Sequence, residues 1–325
     1  MTLIQPWRLA QGDLLRRIRR RCKPLSPLRS TVQPRIEVLS GIRVVLFDVY
    51  GTLLVSLQDD HDYTPALAAD DRFCEAVRQA GGRIRRSAAG VRGGTLLQDM
   101  IDQTHQRLKR RGIDQPEVDI RRIWRATWNR LVDEGLIEGA IDARRVCVAA
   151  LEYECSLNPV WPMPGAAAML TGLRQRGLRL GLVSNAQYYT PLILQALFRM
   201  PLRQLGFSPA LCAWSWKRRV AKPSLALLTP LLDRLRRERG IPPSQVLVIG
   251  NDVLNDVRPA HAQGCRTALF AGDRHSTRLR VDDSRCAGLI PDRILTRWDQ
   301  LLPMLGRSQG RIREARCMAV SPASA

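Results

Sequence analysis

No apolar run in the chain approaches the ~20 residues that a membrane-spanning helix needs, and the N-terminal stretch MTLIQPWRLAQGDLLRRIRRRC has no apolar centre of the kind secretory signals carry. A cytoplasmic location is the resulting expectation. There is also no C-x-x-C pair: Cys22, Cys74, Cys147, Cys155, Cys212, Cys265, Cys286 and Cys317 are scattered, with no histidine partner nearby. That spacing argues against a zinc centre and against a disulfide framework, and the cysteines read as free thiols acting as small buried hydrophobes. Lysine is scarce, only Lys23, Lys109, Lys217 and Lys222 among 51 basic residues. No internal repeat is visible.

What abounds is arginine. Lys+Arg at 51 against Asp+Glu at 30 gives a formal charge of +21, a field that draws phosphate-bearing ligands, nucleic acid and anionic membranes alike. No nucleic-acid-binding motif accompanies the charge, so no specific nucleic-acid partner is expected. The length of 325 residues, 45% of them hydrophobic, suits one α/β core with an inserted domain.

Residues 1–38 hold the cluster Arg16, Arg17, Arg19, Arg20, Arg21 and Lys23, followed by Pro24, Pro27 and Pro34. They read as a flexible, solvated arm, although Leu14, Leu15 and Ile18 would give a short helix an apolar stripe for a membrane surface. Residues 307–325 read as a mobile polar tail. Four short apolar runs, 43–47, 178–183, 245–249 and 267–270, have the near-continuous hydrophobicity of strands in a parallel sheet covered on both faces, and a fifth strand is placed near 210–215. Helices over 166–176 and 224–239 supply crossovers. Residues 56–160 carry helical periodicity at 73–80, 96–111 and 120–132 without a convincing strand. They read as an inserted helical cap domain over a core of 39–55 and 161–306, above the carboxyl ends of the strands, where open α/β sheets bind ligands. Trp124 and Trp128, four apart on one helix face, are expected to pack against the core domain.

The strand ends carry the chemistry. The first run ends in Phe47-Asp48-Val49-Tyr50-Gly51-Thr52-Leu53, where Gly51 allows a sharp turn and Asp48 is a carboxylate able to attack phosphorus or carbon. The second ends in Val183-Ser184-Asn185, two side chains that can hold an anion or cap a helix. Lys222-Pro223 precedes a helix, and the run to Ile249 continues as Gly250-Asn251-Asp252-Val253-Leu254-Asn255-Asp256. Its two carboxylates, four residues apart, suit a hard cation such as magnesium or the capping of the next helix.

In this order and at these strand ends, the motifs resemble the haloacid dehalogenase (HAD) superfamily from about Ile42 to Leu302. The resemblance implies a Rossmann-like core with a helical cap and a hydrolase working through an aspartyl intermediate. It implies Asp48 as nucleophile, Thr52 positioning it, Ser184 and Asn185 binding the transferring group, and Lys222 offsetting charge. Magnesium would be held by Asp48, the main-chain carbonyl of Tyr50 and Asp252, with Asp256 in support, although Asn251 stands where many members have aspartate. A small phosphorylated metabolite is the implied substrate. Tyr50 departs from that pattern, because phosphatases of the family have there a second aspartate that protonates the leaving group. The Asp-x-Tyr-Gly-Thr-Leu form resembles instead the metal-free 2-haloacid dehalogenases. Those have serine and asparagine where this chain has Asp252, a tyrosine where it has Leu228, and a cap arginine whose first candidates here are Arg72, Arg83, Arg85 and Arg86. A HAD-fold binding protein without efficient catalysis is the third reading left open.

Overall fold

The structure, a computed structural model, describes residues 11–57, 66–85 and 90–306. Six strands, β1 (Val44–Phe47), β2 (Arg179–Ser184), β3 (Phe207–Trp214), β4 (Val246–Gly250), β5 (Arg266–Phe270) and β6 (Arg293–Leu295), form one sheet in the order β6-β5-β4-β1-β2-β3. Every pairing is parallel, with Phe47 opposite Leu182 on one side and Ile249 on the other. All four residues of β1 are fully buried, as a central strand covered on both faces requires. The apolar runs of the sequence coincide with β1, β2, β4 and β5, and the uncertain fifth strand is β3. The edge strand β6 was not anticipated, being only three residues long and headed by an arginine.

The cap consists of helices α2 (Ala66–Gln79), α3 (Gly93–Arg110), α4 (Ile120–Asp133) and α5 (Ala143–Leu157). The chain leaves and re-enters the core through an antiparallel pair, Leu54–Ser56 with Val160–Pro162. A two-residue pair, Arg83–Ile84 with Ile137–Glu138, departs from the strandless expectation. Helix α5 also went unseen in the sequence: Val146 to Leu151 are all buried, so its apolar residues run on rather than marking one face. Trp124 and Trp128 pack inside the cap rather than on the core. Trp124 stacks on Phe73 at 4.7 Å between ring centroids, and the Trp128 indole donates to the Gly139 carbonyl at 3.1 Å.

The solvated-arm expectation needs correcting. Residues Gln11–Arg21 form a helix, α1, whose Leu14 and Ile18 are fully buried. The stripe is used against protein: α1 lies on α5 of the cap and on α6 (Thr190–Leu197) of the core. Gln11 donates to Gln195 at 3.0 Å, and the Arg19 guanidinium to the Ala196 carbonyl at 3.1 Å. Further on, Arg35 exchanges two backbone hydrogen bonds with Ile294, at 2.9 and 3.0 Å, closing the exposed edge of β6. The expected helix over 224–239 is broken into a turn, Leu225–Leu227, and a helix, Thr229–Arg239, with Pro230 in its first turn, where a missing N–H is harmless. The C-terminal tail lies outside the described residues.

Candidate active site

Strands β1 and β4 flank the place where the strand order reverses direction, so the loops after them open on one crevice at the carboxyl edge of the sheet. The Asp48 amide still donates to the Ile249 carbonyl at 2.9 Å, which fixes the side chain at the mouth of that crevice. Two glycines permit the close fit. A Cβ on Gly51, which has φ +72°, would stand 2.5 Å from Asn251 Nδ2, and one on Gly250 would stand 2.0 Å from Asp256 Cγ.

Lys222 is the hub. Its Nζ lies 2.6 Å from Asp48 Oδ1 and 2.6 Å from Asp256 Oδ1, all three side chains being buried. Burial alone would lower the lysine pKa, but Asp256 and Asp48 more than reverse this and leave it raised, so Lys222 is a fixed positive charge. Burial also lifts the Asp256 carboxyl, with Lys222 opposing and Asp48 and Asp252 adding to the rise. Asn185 Oδ1 accepts from the Lys222 amide at 2.7 Å, and Asn185 Nδ2 donates to the Lys222 carbonyl at 3.3 Å. Asn185 therefore positions the lysine's backbone while also lining the cavity.

The other expected residues lie elsewhere in the network. Thr52 is fully buried and donates to Asn251 Oδ1 at 3.2 Å, reaching the β4 loop rather than Asp48. Ser184 is fully buried, its hydroxyl donating to the Asn185 carbonyl at 3.4 Å, and it is not part of the cavity wall. Asp252 is occupied as a cap and as an ion-pair partner. Its Oδ1 accepts from Leu254 N at 2.8 Å and from Arg280 Nε at 3.1 Å, and its Oδ2 accepts from Asn255 Nδ2 at 2.8 Å and Arg280 Nη2 at 2.6 Å.

That network bears on magnesium. Both oxygens of Asp256 are taken as well, by Lys222 and by the Asp252 amide at 3.1 Å. Asn251 is held between Thr52 and the Ser276 carbonyl. A small cation wants several oxygens converging in an octahedron, and among the described residues no group of three or more His, Cys, Asp or Glu side chains is placed to hold a metal ion. The expected set of Asp48, the Tyr50 carbonyl, Asp252 and Asp256 does not fit that ion in this arrangement, because Asp252 and Asp256 already serve Arg280 and Lys222.

Above Asp48 opens a cavity of about 860 Å³. Its walls include Tyr50, Asn185, Lys222 and Asn251 from the core and Asp99, Glu117, Tyr153 and Glu154 from the cap and its connections. The Tyr50 hydroxyl lies 2.9 Å from Thr190 Oγ1, and burial, with Glu154 nearby, pushes the phenol well above its ordinary value. Of the candidate cap arginines, Arg72 bonds to the Ser156 carbonyl, Arg83 is exposed, and Arg85 pairs with Glu138 at 2.9 Å; none lines the cavity. Arg86 lies outside the described residues. Sequence reasoning missed Glu117 and Glu154. For Glu154 there was a signal, a carboxylate set in the apolar stretch Val146-Cys147-Val148-Ala149-Ala150-Leu151-Glu152-Tyr153-Glu154-Cys155.

Comparison with known proteins adds the following. The chain is similar in structure to the HAD-hydrolase YfnB of Bacillus subtilis, solved bound to magnesium, at 17% identity over 82% of this chain and 99% of that one, with a TM-score of 0.44. It is similar to a HAD phosphatase from Thermococcus onnurineus at 18% identity over 83% and 100%, TM-score 0.46. It is similar to an L-2-haloacid dehalogenase from Xanthobacter autotrophicus at 20% identity over 83% and 100%, TM-score 0.43. No curated protein matches the sequence. The sequence pattern of the haloacid dehalogenase-like hydrolases matches residues 42–264, a span that takes in every strand from β1 to β4 and the whole cap, and on that match the chain belongs to the haloacid dehalogenase-like hydrolase family.

Proposed function

We propose that this hydrolase cleaves a small phosphate ester through a covalent intermediate on Asp48. The observation that carries the reading is the single lysine held between Asp48 and Asp256 at 2.6 Å from each, at the floor of a cavity of about 860 Å³. With Oδ1 bound to Lys222, the other oxygen of Asp48 is the one that attacks phosphorus. The ester P–O bond breaks, and water then cleaves the acyl phosphate. Lys222 offsets the negative charge of carboxylate and phosphoryl group in a site closed to most solvent, where charge interactions are strong. No step is assigned to a metal ion, since the expected ligands are engaged elsewhere.

Haloacid dehalogenation is the weaker reading, because none of Arg72, Arg83 and Arg85 reaches the cavity and Arg278, which lines it, donates its guanidinium to the His275 and Thr277 carbonyls. The test is phosphate release from a panel of phosphate esters and acyl phosphates, with magnesium and with a chelator. Native protein is expected to turn over at least one of them in the chelator, and Asp48→Asn to lose about a thousandfold or more. Halide release from 2-haloacids in place of phosphate release would reverse the choice. A strict magnesium requirement would mean that Arg280 leaves Asp252 in the working enzyme.

A further inference from the structure

Tyr50 occupies the place from which a phosphatase of this family protonates its leaving group, and the phenol is pushed further from neutrality by its surroundings. If an ester with an ordinary alkoxide leaving group is the substrate, another acid has to serve. Resting on the phosphate-ester reading, we propose that Glu154, on the cap helix α5, is the general acid that delivers the proton to the departing oxygen.

Three observations support this assignment. Glu154 lines the same cavity as Asp48, on the wall contributed by the cap. Its hydrogen-bond partners are neutral: Tyr189 donates its hydroxyl to Oε2 at 2.7 Å, and Asn158 Nδ2 lies 3.4 Å from Oε1. Among the described residues no lysine, arginine or histidine forms an ion pair with it.

The titratable groups that face Glu154 are Tyr50 from the β1 loop, Tyr189 just before α6, Cys22 beyond α1, and Tyr153 and Cys155 from its own helix. Every one of them is neutral in its protonated form, so none brings a positive charge to Glu154, and only the Tyr189 hydroxyl favours its ionised form through a hydrogen bond. Burial accordingly raises its carboxyl, with Tyr189 and Asn158 only partly opposing. A carboxyl shifted in this direction, beside the cavity, is suited to general-acid catalysis.

The step balances. Asp48 forms the new bond to phosphorus, the bond to the ester oxygen breaks, and the Glu154 proton goes to that oxygen, giving a neutral alcohol and a Glu154 carboxylate. In the second step water cleaves the acyl phosphate, and the proton that this releases returns to Glu154 through solvent.

Glu154→Gln separates this role from a structural one through the choice of leaving group. With an alkyl phosphate, kcat is expected to fall about 10²-fold, and the loss of activity toward high pH expected of the native protein should be absent from the variant. With 4-nitrophenyl phosphate, whose leaving group needs no proton, the rate should change by less than about threefold, which also reports that the variant is folded. Equal slowing with both esters, or an unchanged rate with the alkyl ester, would overturn the assignment. If no phosphate ester shows turnover dependent on Asp48, the phosphatase reading fails and this inference goes with it.

Discussion

Glu152 and Glu154 sit two residues apart on α5 and have opposite surroundings. Glu152, with a side chain 1% exposed, is enclosed by arginines of α1: Arg17 at 2.7 Å, Arg21 at 2.6 Å and Arg20 at 3.5 Å. Glu154 turns to the cavity and meets tyrosine and asparagine. A carboxylate removed from water without a partner is strongly disfavoured in its charged form, so one face of the helix has supplied cations and the other has not. The paired carboxylate ties α1 to the cap. The unpaired one is free to hold and release a proton. In so arginine-rich a chain, the absence of a cation around a buried carboxylate is the more informative of the two patterns.

The contrast is broken most directly by testing whether α1 is a structural member at all. Leu14 is fully buried between α1 and its neighbours, and Leu14→Ala is expected to lower unfolding free energy by about 3 kcal/mol, read from urea denaturation. A solvated arm would give no change. Glu152→Gln should be next, at about 2 kcal/mol. Removing one member of a buried ion pair is expensive, but Arg17 and Arg21, with 18% and 31% of their side chains exposed, regain water and so soften the loss. The phosphatase rate per folded molecule is expected to be unaffected by this change, in contrast with Glu154→Gln.

Glu154 also makes a prediction about stability and pH. Its folded carboxyl is raised above the ordinary value of 4.5, so the native state binds its proton more tightly than the unfolded chain does. The resulting stabilisation is complete below the unfolded value and is lost as pH rises through the folded one. Urea midpoints taken between pH 4 and pH 8 should therefore decline more steeply in native protein than in Glu154→Gln, by less than the effect of losing Glu152. Parallel profiles would show that folding does not raise the Glu154 carboxyl, which would remove that support for its role as an acid.

How much of this could be read from sequence depends on the range of the interactions. Asp48 was singled out because short apolar runs announce parallel strands, at whose ends functional groups gather, and Lys222 because Lys222-Pro223 takes its place in the order of motifs that resembles the family. Strand β6 and helix α5 were lost because each lacks the local pattern of its type, the one too short and the other apolar on all sides. Residues 11–21 were misread because charge density spoke for solvent, whereas Glu152, 131 residues beyond Arg21, supplied the partner. Asp252 was taken for a ligand because nothing local reveals Arg280, 28 residues further on and bonded to both its oxygens. Ser184 lies at the right strand end but faces the packed interior, and a one-residue difference in direction at a strand terminus is not encoded in composition.

The smallest expected effect bears on the comparison from its other side. Arg85 and Glu138 join the two short cap strands through an ion pair of 2.9 Å, within the 2.6 to 3.5 Å range of those around Glu152, but their side chains are 52% and 49% exposed. If burial rather than distance decides what an ion pair contributes, this one should be nearly silent: water solvates both charges whether or not they meet, and two long side chains lose freedom when they do. A double-mutant cycle with Arg85→Ala and Glu138→Ala is expected to give a coupling of at most about 0.5 kcal/mol, vanishing in concentrated salt as screening shortens the reach of exposed charges. A coupling that survived salt and matched the loss in Glu152→Gln would mean that proximity alone sets the strength of these pairs. Burial would then no longer separate the two glutamates of α5, and the presence of arginines would say nothing about which one the chain keeps for chemistry.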